Sequence, residues 1–144
     1  MKVQLDHVGI VVNDLAAAKA FFLELGLELE GEQELEGEWL DETIGLKGVK
    51  DVLAFLRAPD GGPAIELIQF YRPMGDAEAQ QPMANTPGIR HVTFEVEDVE
   101  AVVAKLKKHG AELIGKIHNY ENTYKVCYIR GPEGILLELG EPLK

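Results

Sequence analysis

Two histidines and two glutamates stand at repeated places in this chain, and their types suit a metal site. His7 and His91 each lie in a run rich in β-branched residues, "LDHVGIVV" and "IRHVTFEV". Glu66 and Glu138 each interrupt a mostly apolar run, "AIELIQF" and "GILLELGE". A buried ionised carboxylate is costly unless it is paired, hydrogen-bonded or bound to a metal. Because two such carboxylates occur at matching places, a single cause for the burial of both is favoured.

Together the four side chains form a mixed nitrogen and oxygen donor set. Such a set suits Zn, Ni, Co, Mn or Fe as a divalent cation, with positions left for water or substrate oxygens. Taken singly, a strand histidine is more often structural than ligating, and a strand glutamate more often lies on a solvated face. The metal hypothesis therefore depends on the four residues occurring together.

The two histidines open two copies of one sequence pattern. Residues 5–29 and 89–113 match without a gap at nine of twenty-five positions, whereas ordinary composition gives about two matches by chance. Each copy predicts a strand, then a helix that begins after an aspartate and ends at a glycine. The predicted boundaries are Asp14 and Gly26 in the first copy and Asp98 and Gly110 in the second.

Three further strands are predicted after each helix, so the chain reads as two βαβββ modules of the α+β class. "DVLAFLRAPDGGPAIELIQF" and "YKVCYIRGPEGILLELGE" each indicate strand, turn and strand, because proline and glycine suit tight turns. We assign residues 1–70 to the first module, 71–88 to a linker and 89–144 to the second module. Residues 37–50 interrupt only the first module, and we interpret them as a loop, with a lid as the alternative.

Composition excludes several classes of function. The formal net charge of −11 at pH 7 disfavours a general nucleic-acid role, because such proteins need a basic surface. No apolar run approaches the about 18 residues that a membrane helix needs, and no signal-peptide pattern opens the chain. We therefore expect a cytoplasmic protein without a membrane partner.

The single cysteine, Cys127, is interpreted as a small buried hydrophobe.

Over essentially its whole length, the chain resembles the vicinal oxygen chelate superfamily, also called the glyoxalase/bleomycin-resistance/extradiol-dioxygenase group. The stretches that carry this resemblance include "LDHVGIVV", "IRHVTFEVEDVEAVVAKLKKHGAEL" and "GPEGILLELGE". The resemblance implies that the paired modules form a curved mixed sheet around a metal-containing cleft. It also implies a small-molecule substrate and a homodimer, in which modules pair within one chain or between two chains.

The ligand set resembles that of glyoxalase I-like proteins. This resemblance implies that His7, Glu66, His91 and Glu138 hold the metal. It also implies a metal-dependent lyase or isomerase that abstracts a proton next to a carbonyl, with a metal-stabilised enediolate. By the same resemblance, Glu138 is the expected base and Glu66 the second candidate. The residues expected to contact substrate are Arg57, Trp39, Phe94, Tyr124 and Tyr128.

Other members of the superfamily provide alternatives. A methylmalonyl-CoA epimerase-like enzyme would return the proton to the same carbon, although such enzymes usually carry glutamine at the place of Glu66. A bleomycin-resistance-type protein would sequester a cationic ligand, which fits the negative charge but does not require four metal donors. Extradiol dioxygenases and fosfomycin-resistance thiol transferases normally use two histidines and one glutamate, so Glu66 argues against both.

Overall fold

The computed structural model describes residues 1–75 and 81–143. Its chain divides into two compact units, Met1–Ala79 (unit 1) and Gln80–Lys144 (unit 2). The elements of unit 1 are β1 (His7–Val11), α1 (Leu15–Leu25), β2 (Glu28–Glu36), α2 (Glu38–Ile44), β3 (Lys50–Arg57) and β4 (Ala64–Arg72). Those of unit 2 are β5 (Val92–Glu95), α3 (Val99–Lys107), β6 (Glu112–Tyr120), β7 (Tyr124–Arg130), a 3₁₀ turn (Pro132–Gly134) and β8 (Leu136–Pro142).

Each unit contains one four-stranded mixed sheet, and the two sheets have the same topology. The strand orders are β1-β4-β3-β2 and β5-β8-β7-β6. The first strand of each unit pairs in parallel with the last, and the other neighbours pair antiparallel. The predicted α+β class and the two βαβββ modules are confirmed, with α2 inserted in the first module. Part of the predicted linker, residues 76–80, lies outside the described residues.

Side-chain caps fix the start of the main helix in each unit. The Asp14 carboxylate accepts a hydrogen bond from the backbone N–H of Ala17, and the Asp98 carboxylate accepts one from that of Ala101. Both side chains satisfy amide groups that the first helical turn leaves without partners. The predicted N-caps are therefore confirmed.

The helix α1 in unit 1 and the helix α3 in unit 2 each cover one face of their sheet, and this packing determines which residues lie on the other face. In unit 1, α1 buries Phe21 and Phe22 while β4 buries Ile65 and Leu67. In unit 2 the matching buried strand residues include Leu137 and Leu139. Because strand side chains alternate between faces, the glutamate between each of these two apolar pairs lies on the face away from the helix.

Two helix predictions differ from the structure. Residues 37–50 include the helix α2, whereas the sequence favoured a loop; seven residues are too few to give a clear helical period. The helix α3 ends at Lys107 rather than at Gly110. The N–H groups of His109 and Gly110 bond to carbonyls three residues earlier, which indicates a tightened last turn.

The prediction that Cys127 is a buried residue is confirmed. Cys127 is buried, with 2% of its surface exposed. Burial raises the pKa of its thiol above the usual value of 9.0, so the side chain stays neutral. Among the described residues, every helix is too short or too polar to cross a membrane.

Candidate metal centre

In unit 1, His7 and Glu66 form a close pair on the sheet face away from α1. His7 begins β1, and Glu66 lies in β4 opposite Gly9, two residues beyond the histidine. The Nε2 atom of His7 lies 3.3 Å from Oε1 of Glu66. The parallel pairing of β1 with β4 therefore brings together two residues that are far apart in sequence.

In unit 2, His91 and Glu138 repeat this arrangement. His91 directly precedes β5, and Glu138 lies in β8 opposite Thr93, again two residues beyond the histidine. The distance from His91 Nε2 to Glu138 Oε1 is 3.6 Å. The repeat in the sequence is therefore also a repeat in register and geometry.

Each histidine has a partner at its other ring nitrogen. The Asp6 carboxylate lies 2.7 Å from Nδ1 of His7, and the Tyr128 hydroxyl lies 3.4 Å from Nδ1 of His91. A partner that accepts from Nδ1–H leaves the Nε2 lone pair for a cation, and histidine ligands are usually supported in this way. The hydrogen bond with Asp6 raises the pKa of His7 above its usual 6.5; partial burial opposes this effect, and the charge of Glu66 adds to it.

An aromatic residue of the third strand packs against each imidazole. Phe55 lies opposite Glu66 in the sheet, and its ring meets that of His7 edge-on at 5.3 Å between centroids. Tyr128 lies opposite Glu138 and meets His91 in a similar way at 5.1 Å. These contacts restrict rotation of the two imidazoles at equivalent places in the two units.

Partial exposure leaves both pairs open to ions and small molecules. The histidine side chains are 37% and 35% exposed, and the glutamates beside them 16% and 25%. In unit 2 the hydroxyl of Thr93 also donates to Oε1 of Glu138 across 2.7 Å. Each pair thus offers one imidazole nitrogen and one carboxylate, and this donor chemistry fits a divalent transition metal.

The residues predicted to contact substrate lie in different surroundings. Tyr128 packs against His91 in unit 2. The guanidinium of Arg57 is paired with Glu30, Nε to Oε2 at 2.7 Å, and also donates to the carbonyl of Gly62. Its charge is therefore already compensated within unit 1.

The other three predicted contact residues lie on α2, β7 and β5. Trp39 lies in α2 and is 56% exposed. Tyr124 begins β7 opposite Pro142, four residues beyond Glu138. Phe94 pairs with Leu139, which places it on the face of the sheet opposite to Glu138.

Three neighbouring residues were missed by sequence reasoning: Asp6, Phe55 and Thr93. Phe55 could have been found, because it occupies the place in unit 1 that the predicted Tyr128 occupies in unit 2. Asp6 could not be found from the repeat, because the corresponding residue of the second copy is Arg90.

A separate acidic cluster in unit 2 has a structural explanation. One ligand atom from each of Asp98, Glu100 and Glu141 lies within 4.8 Å of the others. Asp98 caps α3, Glu141 accepts from the backbone N–H of Val99, and Glu100 pairs with Lys125 at 3.1 Å. These three carboxylates therefore support the start of α3.

This chain matches a known protein superfamily, and it is similar to known proteins in both sequence and structure. Residues 6–128 match the model of the glyoxalase/bleomycin resistance protein/dioxygenase superfamily. The uncharacterized protein YwbC of Bacillus subtilis is 33% identical over 141 residues, which cover 96% of this chain and 97% of that protein. A glyoxalase family protein from Bacillus cereus has a crystal structure that matches with a TM-score of 0.95 and 44% identity, covering 100% of this chain and 97% of that one.

A more distant structure adds information about the fold. FosX, a fosfomycin resistance protein from Listeria monocytogenes, was crystallised in complex with Mn(II) and sulfate. It matches with a TM-score of 0.64 and 18% identity, covering 98% of this chain and 93% of that one. At this level of identity, the similarity shows that the two proteins share a fold and nothing more.

Proposed function

Because the chain belongs to the glyoxalase/bleomycin resistance protein/dioxygenase superfamily, we propose that it is a divalent-metal-dependent enzyme of the glyoxalase type. Its reaction is the removal of a proton next to a carbonyl, which makes it a lyase or an isomerase. The observation that supports this proposal is the repeated pair, His7 with Glu66 and His91 with Glu138, at the same register in both sheets.

The four residues of the two pairs are the proposed ligands of one cation. One pair alone offers two protein donors, whereas catalytic transition-metal sites commonly use three or more. The Mn(II) in FosX supports a divalent metal in this fold, and Zn, Ni, Co, Mn and Fe all suit the donor set. When bound, such a cation acts as a Lewis acid that stabilises negative charge on substrate oxygens.

The side chains of this protein perform the proton transfer. Glu138 is the proposed base, and Glu66 is the second candidate. The hydroxyl of Thr93 donates a hydrogen bond to Oε1 of Glu138 at 2.7 Å, and Nε2 of His91 lies 3.6 Å from the same oxygen. Because Oε1 accepts the hydrogen bond from Thr93, the second oxygen, Oε2, is the proposed site of protonation.

Metal analysis tests the ligand set before any substrate is known. We expect one transition-metal ion per chain in the native protein, its loss after chelation and its return on adding metal. Because both pairs serve the same ion, His7→Ala and His91→Ala should each remove most of the bound metal. Two ions per chain, with one retained in each variant, would contradict the shared site, and a protein that takes up no metal would overturn the proposal.

Complementation between variants tests whether the shared site also joins two subunits of the proposed homodimer. The His7→Ala and His91→Ala chains are unfolded together, refolded as a mixture and assayed for bound metal. If the ligands come from two chains, mixed dimers restore part of the metal binding. If they come from one chain, the mixture binds no more metal than the separate variants. Activity is then sought with hemithioacetals, α-hydroxyketones and acyl-CoA thioesters.

A further inference from the structure

An apolar pocket of about 290 Å³ lies within unit 1. Val11, Leu46, Phe70 and Met74 supply its large apolar side chains, and Asn13 is the one polar side chain among the described residues that line it. Three of these apolar side chains are well exposed in the chain: Val11 at 62%, Leu46 at 45% and Met74 at 66%. Exposed apolar side chains that line a pocket are typical of a ligand-binding site.

The pocket has a fixed relation to the pair of His7 and Glu66. Val11 lies four residues beyond His7 in β1, and Phe70 lies four residues beyond Glu66 in β4. The two strands are parallel, so both residues lie in the same direction from the pair, at about 13 Å along the strands. An even number of residues also keeps both on the sheet face that carries the pair.

Unit 2 has a pocket at the equivalent place, but its lining is different. Its volume is about 340 Å³, and Glu95 and Pro142 are among the residues that line it. Glu95 lies four residues beyond His91, and Pro142 lies four beyond Glu138. The duplication thus places a pocket at the same position on both sheets, with a carboxylate in unit 2 where unit 1 has Val11.

The apolar character of the first pocket depends partly on a segment that only the first module contains. Leu46 belongs to residues 37–50, directly after α2. The carboxylate of Asp41 holds this segment by accepting from the N–H groups of Gly48 and Val49. The insertion therefore contributes one side chain, that of Leu46, to the lining of the pocket.

We propose that this pocket, on which the proposed function does not depend, binds the apolar part of the substrate while the substrate's oxygen-bearing head group lies at His7 and Glu66. The substrate class is then an oxygen chelator with an alkyl or aryl tail. An apolar cavity of about 150 Å³ can hold benzene, so a pocket of about 290 Å³ accommodates a group larger than a single ring. The link between tail and head group rests on the proposed function.

Binding of 1-octanol to metal-free protein, followed by NMR titration, tests the pocket alone. Octanol has an apolar tail but no chelating head group, so the outcome is independent of the metal. We expect saturable binding with shifts near Leu46 and Phe70. Val11→Glu, which copies Glu95 of unit 2, and Leu46→Asp should each weaken binding roughly tenfold, because both place a charge in the apolar lining. The matched control is Val3→Glu, at a position that is 84% exposed and outside the pocket.

The second arm compares dodecanohydroxamate, whose tail is long enough to reach from the pair to the pocket, with acetohydroxamate on metal-loaded protein. The longer tail should increase affinity roughly tenfold or more in the wild type. This gain should disappear in Leu46→Asp, while the affinity for acetohydroxamate stays unchanged. Octanol binding without any hydroxamate binding would overturn the head-group assignment and the proposed metal site but leave the pocket intact.

Two results would overturn the pocket itself. One is an absence of saturable octanol binding, or equal binding by the wild type and the Leu46→Asp variant. The other is dissociation of dimers by octanol in sedimentation experiments, since this would show that a second copy of the chain covers the apolar surface. If Val11→Glu fails to fold, Leu46→Asp still decides the test, because Leu46 lies in an exposed segment after α2.

Discussion

The carboxylate of Asp6 lies 2.7 Å from Nδ1 of His7. This contact directs the opposite nitrogen, Nε2, toward Glu66, and it favours the imidazole tautomer in which Nε2 is free to bind a cation. The corresponding contact in unit 2, from Tyr128 to Nδ1 of His91, is longer at 3.4 Å and comes from a neutral group. The two pairs are therefore equivalent in register but unequal in electrostatic support.

We expect Asp6→Asn to lower metal affinity by about 10- to 100-fold, the usual cost of removing a supporting carboxylate from a histidine ligand. Tyr128→Phe should have a smaller effect, because its contact with His91 is long and uncharged. Affinity is measured by competition with a chromophoric chelator. Asp60→Asn is the control, since Asp60 is an exposed aspartate in the turn before β4. Equal affinities for Asp6→Asn and the wild type would contradict a supporting role for Asp6.

Glu138→Gln should abolish turnover more completely than metal binding. The amide keeps a carbonyl oxygen that can bind a cation and accept the hydrogen bond from Thr93, but it cannot take a proton at neutral pH. Steady-state kinetics on a demonstrated substrate and metal content are measured on the same preparation. Glu66→Gln is the matched variant in unit 1. If Glu138→Gln keeps full activity while Glu66→Gln loses it, Glu66 is the base.

The sequence predicted the order of the elements because their signals are local. Strand alternation, the capping aspartates and the proline–glycine turns each act within a few residues. The helix α2 was missed because it is short. The end of α3 was predicted too late, because the residue types of Lys108 and His109 are compatible with a helix. In the structure these two residues form a turn that precedes Gly110.

Pairing of each histidine with its glutamate could be anticipated from the repeat, but their surroundings could not. Arg57 lies opposite Glu28, but its guanidinium pairs with Glu30, which lies at the irregularity in the register between β2 and β3. Such a register is set by the assembled sheet, so no local pattern reveals that the guanidinium is already paired. The support of His7 by Asp6 is likewise particular to one copy and absent from the repeat.

Removing the capping carboxylates should destabilise both units. Asp14→Ala and Asp98→Ala should each lower the free energy of unfolding by about 1 kcal/mol, because a backbone N–H of the first helical turn loses its acceptor. Urea denaturation followed by circular dichroism measures the change. Asp14→Asn and Asp98→Asn are the controls and should stay near the wild type, since asparagine also caps well. A loss equal to that of alanine in the asparagine variants would show that charge, rather than capping, is responsible.

Asp51 should make stability depend on pH. The residue is 3% exposed, and its Oδ1 atom has no hydrogen-bond partner among the described residues. Burial raises the pKa of this carboxyl above its usual 3.8, so the folded state binds the proton more tightly than the unfolded state does. The stabilisation from protonated Asp51 is present below pH 3.8 and is lost as the pH rises through the higher folded-state value.

Asp51→Asn removes this titration, so its melting temperature relative to the wild type should rise as the pH increases from 3.5 to about 7. Thermal unfolding of both proteins across this range, with Asp60→Asn as the exposed control, measures the difference. A difference that does not change with pH would show that Asp51 titrates alike in the folded and unfolded chains.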